Sequence, residues 1–179
     1  MMKKKNKRLI IKIAILCLCS ALLFGCGYSF ASRGESIDNR IQKVYVKPFD
    51  NRTAQAGIEN YIRTAFINQF IQNSRFKIVN SVESADAIVK GRILNLNTSP
   101  LSYLKNDLAA EERATITLDL TFQENESGKI IWSSKNMTGS VDYTLNEDIN
   151  LLSAARKQAM IKLANDTAEK AFNQMMSGF

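Results

Sequence analysis

Ala114-Thr115-Ile116-Thr117-Leu118-Asp119-Leu120-Thr121-Phe122-Gln123 alternates apolar and polar residues over ten positions without a break. Successive side chains of a strand point to opposite faces, so a period of two predicts a half-buried strand. Ala114, Ile116, Leu118, Leu120 and Phe122 belong to a core; Thr115, Thr117, Asp119, Thr121 and Gln123 face water or a partner. Downstream, Glu124 to Lys129 with Gly128 reads as a hairpin turn. A second strand follows from Ile130, anchored by Trp132 and continuing with a kink at Gly139 to Tyr143. Upstream, Ala87 to Asn97 is rich in Ile, Val and Leu and predicts a strand. Gly91 marks a bulge or a close approach in it, and Thr98-Ser99-Pro100 ends it.

Two helices flank this centre. Ile58, Tyr61, Ile62, Ala65, Phe66, Gln69 and Phe70 recur at steps of three and one, a helical stripe over 57–72. Asp148 is the N-cap of a second helix reaching Met175, with Leu152, Ala155, Ala159 and Leu163 on one face, drifting to Ala168, Ala171, Phe172 and Met175. Lys43 to Lys47 is a short strand stopped by Pro48, Phe49 to Thr53 has turn chemistry, and Phe76, Ile78 and Val79 mark another short strand. The order β-α-β-β-β-β-α predicts an α+β fold. It is a two-layer sandwich in which two helices pack on one face of a mixed, mostly antiparallel four- to five-stranded sheet. At 179 residues with no solenoid period, one domain over 42–179 suffices.

The net charge of +7 would suggest nucleic acid if it were spread along the chain. Instead Lys3, Lys4, Lys5, Lys7, Arg8 and Lys12 precede residue 13, and no acid appears before Glu35. The rest of the chain is close to neutral, so no nucleic-acid partner is expected. The absence of histidine removes His-based catalysis and His-ligated metals.

Residues 1–25 divide into a basic start, an apolar stretch and Leu23-Phe24-Gly25 before Cys26. The apolar run from Ile13 to Phe24 is about 12 residues, shorter than the ~20 of a membrane span but within the signal-peptide range. An uncleaved anchor is the competing reading. Gly25 immediately before Cys26, with Leu23 at the third position upstream, resembles the bacterial lipoprotein signal, in which the cysteine becomes the lipidated mature N-terminus. Cys17 and Cys19 then leave with the leader, so no disulfide supports the domain. Acyl chains on Cys26 hold it to a lipid bilayer, and 26–41 is a polar tether. In the lipoprotein sorting pattern this resembles, an Asp at position 27 would signal inner-membrane retention, so Gly27 favours the outer membrane.

The chain offers no phosphate loop, nucleophile elbow or metal-ligand spacing. Glu111-Glu112 reads as a solvated loop whose carboxylates diverge if extended, and Asp50 as an Asx turn. No catalytic residue, metal or cofactor is expected. An amphiphile is the other candidate ligand. Lys90 and Arg92 share strand parity, and the loop from Ser99 to Arg113 carries Leu101, Tyr103, Leu104, Lys105 and Leu108. A Lys beside exposed apolar groups suits an anionic head with acyl chains. In the alternative reading Leu101 and Tyr103 cap the core and Lys105 is solvated.

Cys26-Gly27-Tyr28-Ser29-Phe30, the segment from Val44 to Thr53, Gly57-Ile58-Glu59, Ala85-Asp86-Ala87 and Ser99-Pro100-Leu101-Ser102-Tyr103 together resemble the LptE family of lipopolysaccharide-assembly lipoproteins. The resemblance implies an outer-membrane lipoprotein with a two-layer α/β fold. Such a protein plugs the LptD β-barrel, supports its assembly and binds lipopolysaccharide. Cys26 carries over as the lipid attachment site. The family's basic lipopolysaccharide contact falls near Lys105, and a second, after the last strand, has no match where Glu147 and Asp148 stand. Thr115, Thr117 and Thr121 suit a polar barrel lumen. The alternative from another class is a periplasmic adaptor or regulator of a different envelope complex.

Overall fold

The computed structural model describes residues 37–73, 75–103, 109–145 and 148–177. Over these the chain runs β1 (Lys43–Val46), β2 (Asp50–Asn51), α1 (Ile58–Gln72), β3 (Lys77–Ile78), β4 (Ala87–Tyr103), β5 (Ala109–Glu124), β6 (Ile130–Thr144) and α2 (Ile149–Ser177). The sheet order is β3-β1-β4-β5-β6, with β2 beside β4. The β1, β2 and β3 pairings are parallel, whereas β4, β5 and β6 form an antiparallel meander. This is the mixed, mostly antiparallel sheet that the alternation and element order predict. The sixth strand is β2, where turn chemistry alone was expected. The Arg52 amide donates to the Ile93 carbonyl at 3.0 Å and ties that turn to β4.

One face of the sheet carries both helices. Ala114, Ile116, Leu118, Leu120 and Phe122 of β5 are all buried beneath them. Their alternate neighbours Thr115, Thr117, Asp119, Thr121 and Gln123 are half-buried on the other face. Phe70 of α1, wholly buried, joins the layers. Its ring centroid lies 5.0 Å from Phe172 of α2, 5.4 Å from Phe76 and 5.9 Å from Phe122 of β5. Asp148 caps α2 as expected, accepting the Asn150 amide at 2.9 Å. At the other end of the sheet the Asp86 carboxylate accepts the amides of Lys43 at 2.7 Å and Gln42 at 3.0 Å. The bond from Lys43 leads in holding that carboxyl below its usual range. These bonds tie the entry of β4 to the start of β1.

Two departures from the sequence reading have local causes, and a third feature decides between its alternatives at Gly91. First, β4 runs through Pro100 to Tyr103, so the predicted loop over Ser99–Arg113 is mostly two hairpin arms. Beyond Ile93, β4 pairs only with β5 among the described residues, and the register shifts between Pro100 and Ser102. An edge with a bulge is where a strand tolerates a residue lacking N–H. Second, the irregularity in β6 lies at Asn136, with φ 53°, not at Gly139. Gly139 instead provides close approach: a Cβ there would stand 2.0 Å from Thr167 Oγ1 of α2. Third, Gly91 is a close approach and the bulge falls between Ile93 and Asn95. A Cβ at Gly91 would meet the Phe49 ring at 2.0 Å.

The Phe70 junction makes a prediction about stability. Replacing Phe70 by Ala removes a buried ring shared by three elements and should cost about 3–5 kcal/mol in urea unfolding. Its neighbour Ile71 is 60% exposed, and Ile71→Ala should stay within about 0.5 kcal/mol of the parent. Equal losses for the two variants would contradict this core.

Candidate functional site

The residues singled out for an amphiphile do not converge. Lys90 and Arg92 sit on the helix-free face near the base of β4, opposite Thr121 and Asp119 of β5. Arg92 Nε is 3.2 Å from Asp50 Oδ2, which also accepts Arg52 Nε at 3.2 Å. Asp50 is thus an ion-pair partner, and the Asx turn belongs to Asn51, whose Oδ1 accepts the Thr53 amide at 2.9 Å. Tyr103 lies at the far end of the hairpin. At about 3.3 Å per residue it stands ~40 Å along β4 from Lys90. One small headgroup cannot touch both. Leu101 and Tyr103 are 42% and 63% exposed, so they do not cap the core. Leu104, Lys105 and Leu108, like Cys26 and Glu147, lie outside the described residues.

The helix-free face is polar over most of its length, with an apolar row of Tyr45, Ile88 and Ile130 beside Gln123 at its base. Asn97, Thr115 and Ser140 stand side by side on β4, β5 and β6. Thr117 faces Thr138, and Lys90, Thr121 and Ser133 form a further row. Arg113 grips Asp142 with bonds of 2.6 and 2.8 Å, and that guanidinium holds the Asp142 carboxyl below its usual range. Both partners are about half exposed, so the pair contributes little to stability. Among the described residues, no hydrogen bond within the chain engages the hydroxyls of Thr115, Thr117, Thr121, Thr138, Ser133 or Ser140. They remain available to a partner.

On the helix side lies a groove of about 760 Å³, bordered by Tyr61, Leu96, Glu112, Tyr143, Arg156 and Met160. Its cause is a mismatch of lengths. The 16 residues of β5 span roughly 50 Å, whereas the 15 of α1 span roughly 22 Å, so α1 leaves part of the hairpin uncovered. Glu112 is therefore not in a solvated loop. It lies on β5 facing the groove, accepts the Tyr143 hydroxyl and has Arg156 Nη2 at 3.9 Å. Glu111 points to the other face, as an extended backbone requires, and accepts Ser102 Oγ at 3.3 Å. Burial, then the bond to Glu112 and its charge, push the Tyr143 phenol up to about 12.

Sequence reasoning missed Tyr143, Arg156 and Lys157 as groove residues. The available signal was Arg156-Lys157 lying one step off the predicted apolar stripe of Ala155 and Ala159. The groove holds one carboxylate and a phenol kept protonated. No group of acids or thiols able to hold a metal occurs among the described residues.

A phenol whose folded pKa exceeds its unfolded value, about 10, stabilises the fold below pH ~10 and loses that contribution as pH rises through the folded pKa. In spectrophotometric titration Tyr143, identified by difference from Tyr143→Phe, should ionise near 12. Glu112→Gln should bring the midpoint down toward about 10 without reaching it, because burial remains. An unchanged midpoint would show that the two groups are not coupled.

Comparison with known proteins bears on the whole domain. The family model LptE, described as lipopolysaccharide-assembly, matches residues 41–175. No curated protein matches the sequence. A candidate lipoprotein from Caulobacter crescentus superposes with a TM-score of 0.53 at 12% identity, over 73% of this chain and 89% of that one. Lipoprotein B from Nitrosomonas europaea gives 0.52 at 16% identity, over 77% of this chain and 84% of that one. At such identities these two structures carry the fold alone. No helix among the described residues is long and apolar enough to cross a membrane. With the family model covering nearly all of the folded region, the chain belongs to the LptE family of lipopolysaccharide-assembly lipoproteins.

Proposed function

We propose that this lipoprotein is anchored in the outer membrane by acyl chains on Cys26, associates with an LptD-type β-barrel and assists lipopolysaccharide assembly there. It acts by binding rather than by catalysis. The observation that carries the reading is the helix-free face of β4, β5 and β6. It is broad and polar, with rows of Thr and Ser hydroxyls that the chain itself does not engage. A barrel lumen is polar and its wall is a curved sheet, so hydroxyl rows on a twisted sheet match it in chemistry and shape.

Lipopolysaccharide is assigned to the hairpin tip, where Leu101 and Tyr103 project and Lys105 follows. A lysine ammonium pairs with phosphate, and exposed apolar groups such as Leu101 and Tyr103 cover acyl methylenes. Lys90 and Arg92, ~40 Å away by strand length, serve the barrel face instead.

The test is affinity capture of the lipoprotein from outer-membrane extract after gentle solubilisation. A large β-barrel should copurify, and Lys105→Asp should lower captured lipopolysaccharide severalfold while leaving the barrel in place. Recovery of the lipoprotein alone, with normal surface lipopolysaccharide after depletion, would favour an adaptor or regulator of another envelope complex and overturn the reading.

A further inference from the structure

The groove on the helix side has one wall that is not made of side chains. β1 and β2 pair with β4 only as far as Ile93, and from Asn95 to Ser99 that edge of β4 has no neighbouring strand among the described residues. The Val89 and Ile93 carbonyls, both on helix-side residues, accept at this edge from the amides of Lys47 and Arg52, each at 3.0 Å. Past the irregularity between Ile93 and Asn95, Leu96 and Thr98 become the helix-side residues, opposite Ile116 and Ala114. Strand geometry turns their N–H and C=O groups to the same free edge. Pro100, which has no N–H, closes the run. Leu96, Asn97 and Thr98 all border the groove.

Across the groove, Arg156 and Lys157 present exposed cations from α2. Among the described residues the one acid bordering the groove, Glu112, accepts the Tyr143 hydroxyl and stands 3.9 Å from Arg156 Nη2, beyond hydrogen-bond reach. Leu96 and Met160 supply apolar surface between them. An acyl chain laid here would cover unpaired backbone groups and return no hydrogen bonds to them, which is unfavourable. An extended peptide would satisfy them. We propose that the groove binds an extended, acidic segment of a partner protein, added as a further strand to β4 beyond Ile93 with an acidic side chain between Arg156 and Lys157. Five free positions span about 17 Å, the length of an ordinary strand. The site faces away from the polar sheet face and does not depend on barrel binding.

The experiment is fluorescence anisotropy on the full-length lipoprotein in detergent, with a labelled peptide Thr-Val-Thr-Glu-Thr-Val-Thr and its Lys-centred counterpart as probes. The Glu peptide should bind at least tenfold more tightly than the Lys peptide, and Arg156→Glu with Lys157→Glu should reverse the order. N-methylation of one alternate set of peptide amides should reduce binding at least tenfold, and of the other set leave it unchanged. Equal binding of both peptides, or indifference to methylation of either set, would overturn the proposal. So would binding of lipid A micelles, lost in the double variant, with no binding of the peptide.

Discussion

The ring of Phe70 is the point on which the two layers depend. It is wholly buried and touches a ring from α2, one from β5 and one at the entry to β3. Edge and tilted ring pairs of this kind contribute ~0.5–1.5 kcal/mol each beyond area burial. Because both helices meet there, both lie on the same side of the sheet. The other side is left with nothing from the described chain to cover it. A sheet with one open face stays soluble only if that face is polar, and the threonines of β5 meet this need. Core packing and the chemistry of the outer face are thus two consequences of one arrangement.

The second consequence concerns length. β4 and β5 extend well past the end of α1, and α2 alone follows them toward the tip. The uncovered strip is where Glu112, Tyr143 and Arg156 meet and where the β4 edge loses its parallel neighbours. A fold assembled from a short parallel βαβ part and a long antiparallel meander will have such a seam wherever the meander outruns the helix of the first part. Asp86 and the Phe49 ring over Gly91 hold the two parts together at the base. The hairpin tip carries exposed Leu101 and Tyr103 at the opposite end.

Much of this was legible in the residues. The ten-position alternation around Leu118 gave the orientation of β5, and the helical stripe through Phe66 and Phe70 gave the buried face of α1. What escaped was set by contacts between distant elements. Pro100 reads as a strand breaker until β4 is seen to lack a second neighbour there, when the missing N–H costs nothing. Gly139 and Asn136 exchange roles because only the packing of Thr167 reveals which one needs space and which one turns. Asp50 and Glu112 looked like turn and loop acids; their partners, Arg92 and Tyr143, lie 42 and 31 residues away. Lys90 and Tyr103 looked like one site because parity and composition carry no information about distance along an unbroken strand.

The central claim is that the helix-free face of the meander meets the wall of a barrel. It is tested most directly by placing a photo-crosslinking residue in living cells at Thr117 or Thr138, in the middle of that face, and at Lys162 on the exposed side of α2. The account predicts crosslinks from Thr117 and Thr138 to one outer-membrane β-barrel, at a yield well above that from Lys162. Crosslinks from Lys162 to the barrel, with none from the two threonines, would contradict it.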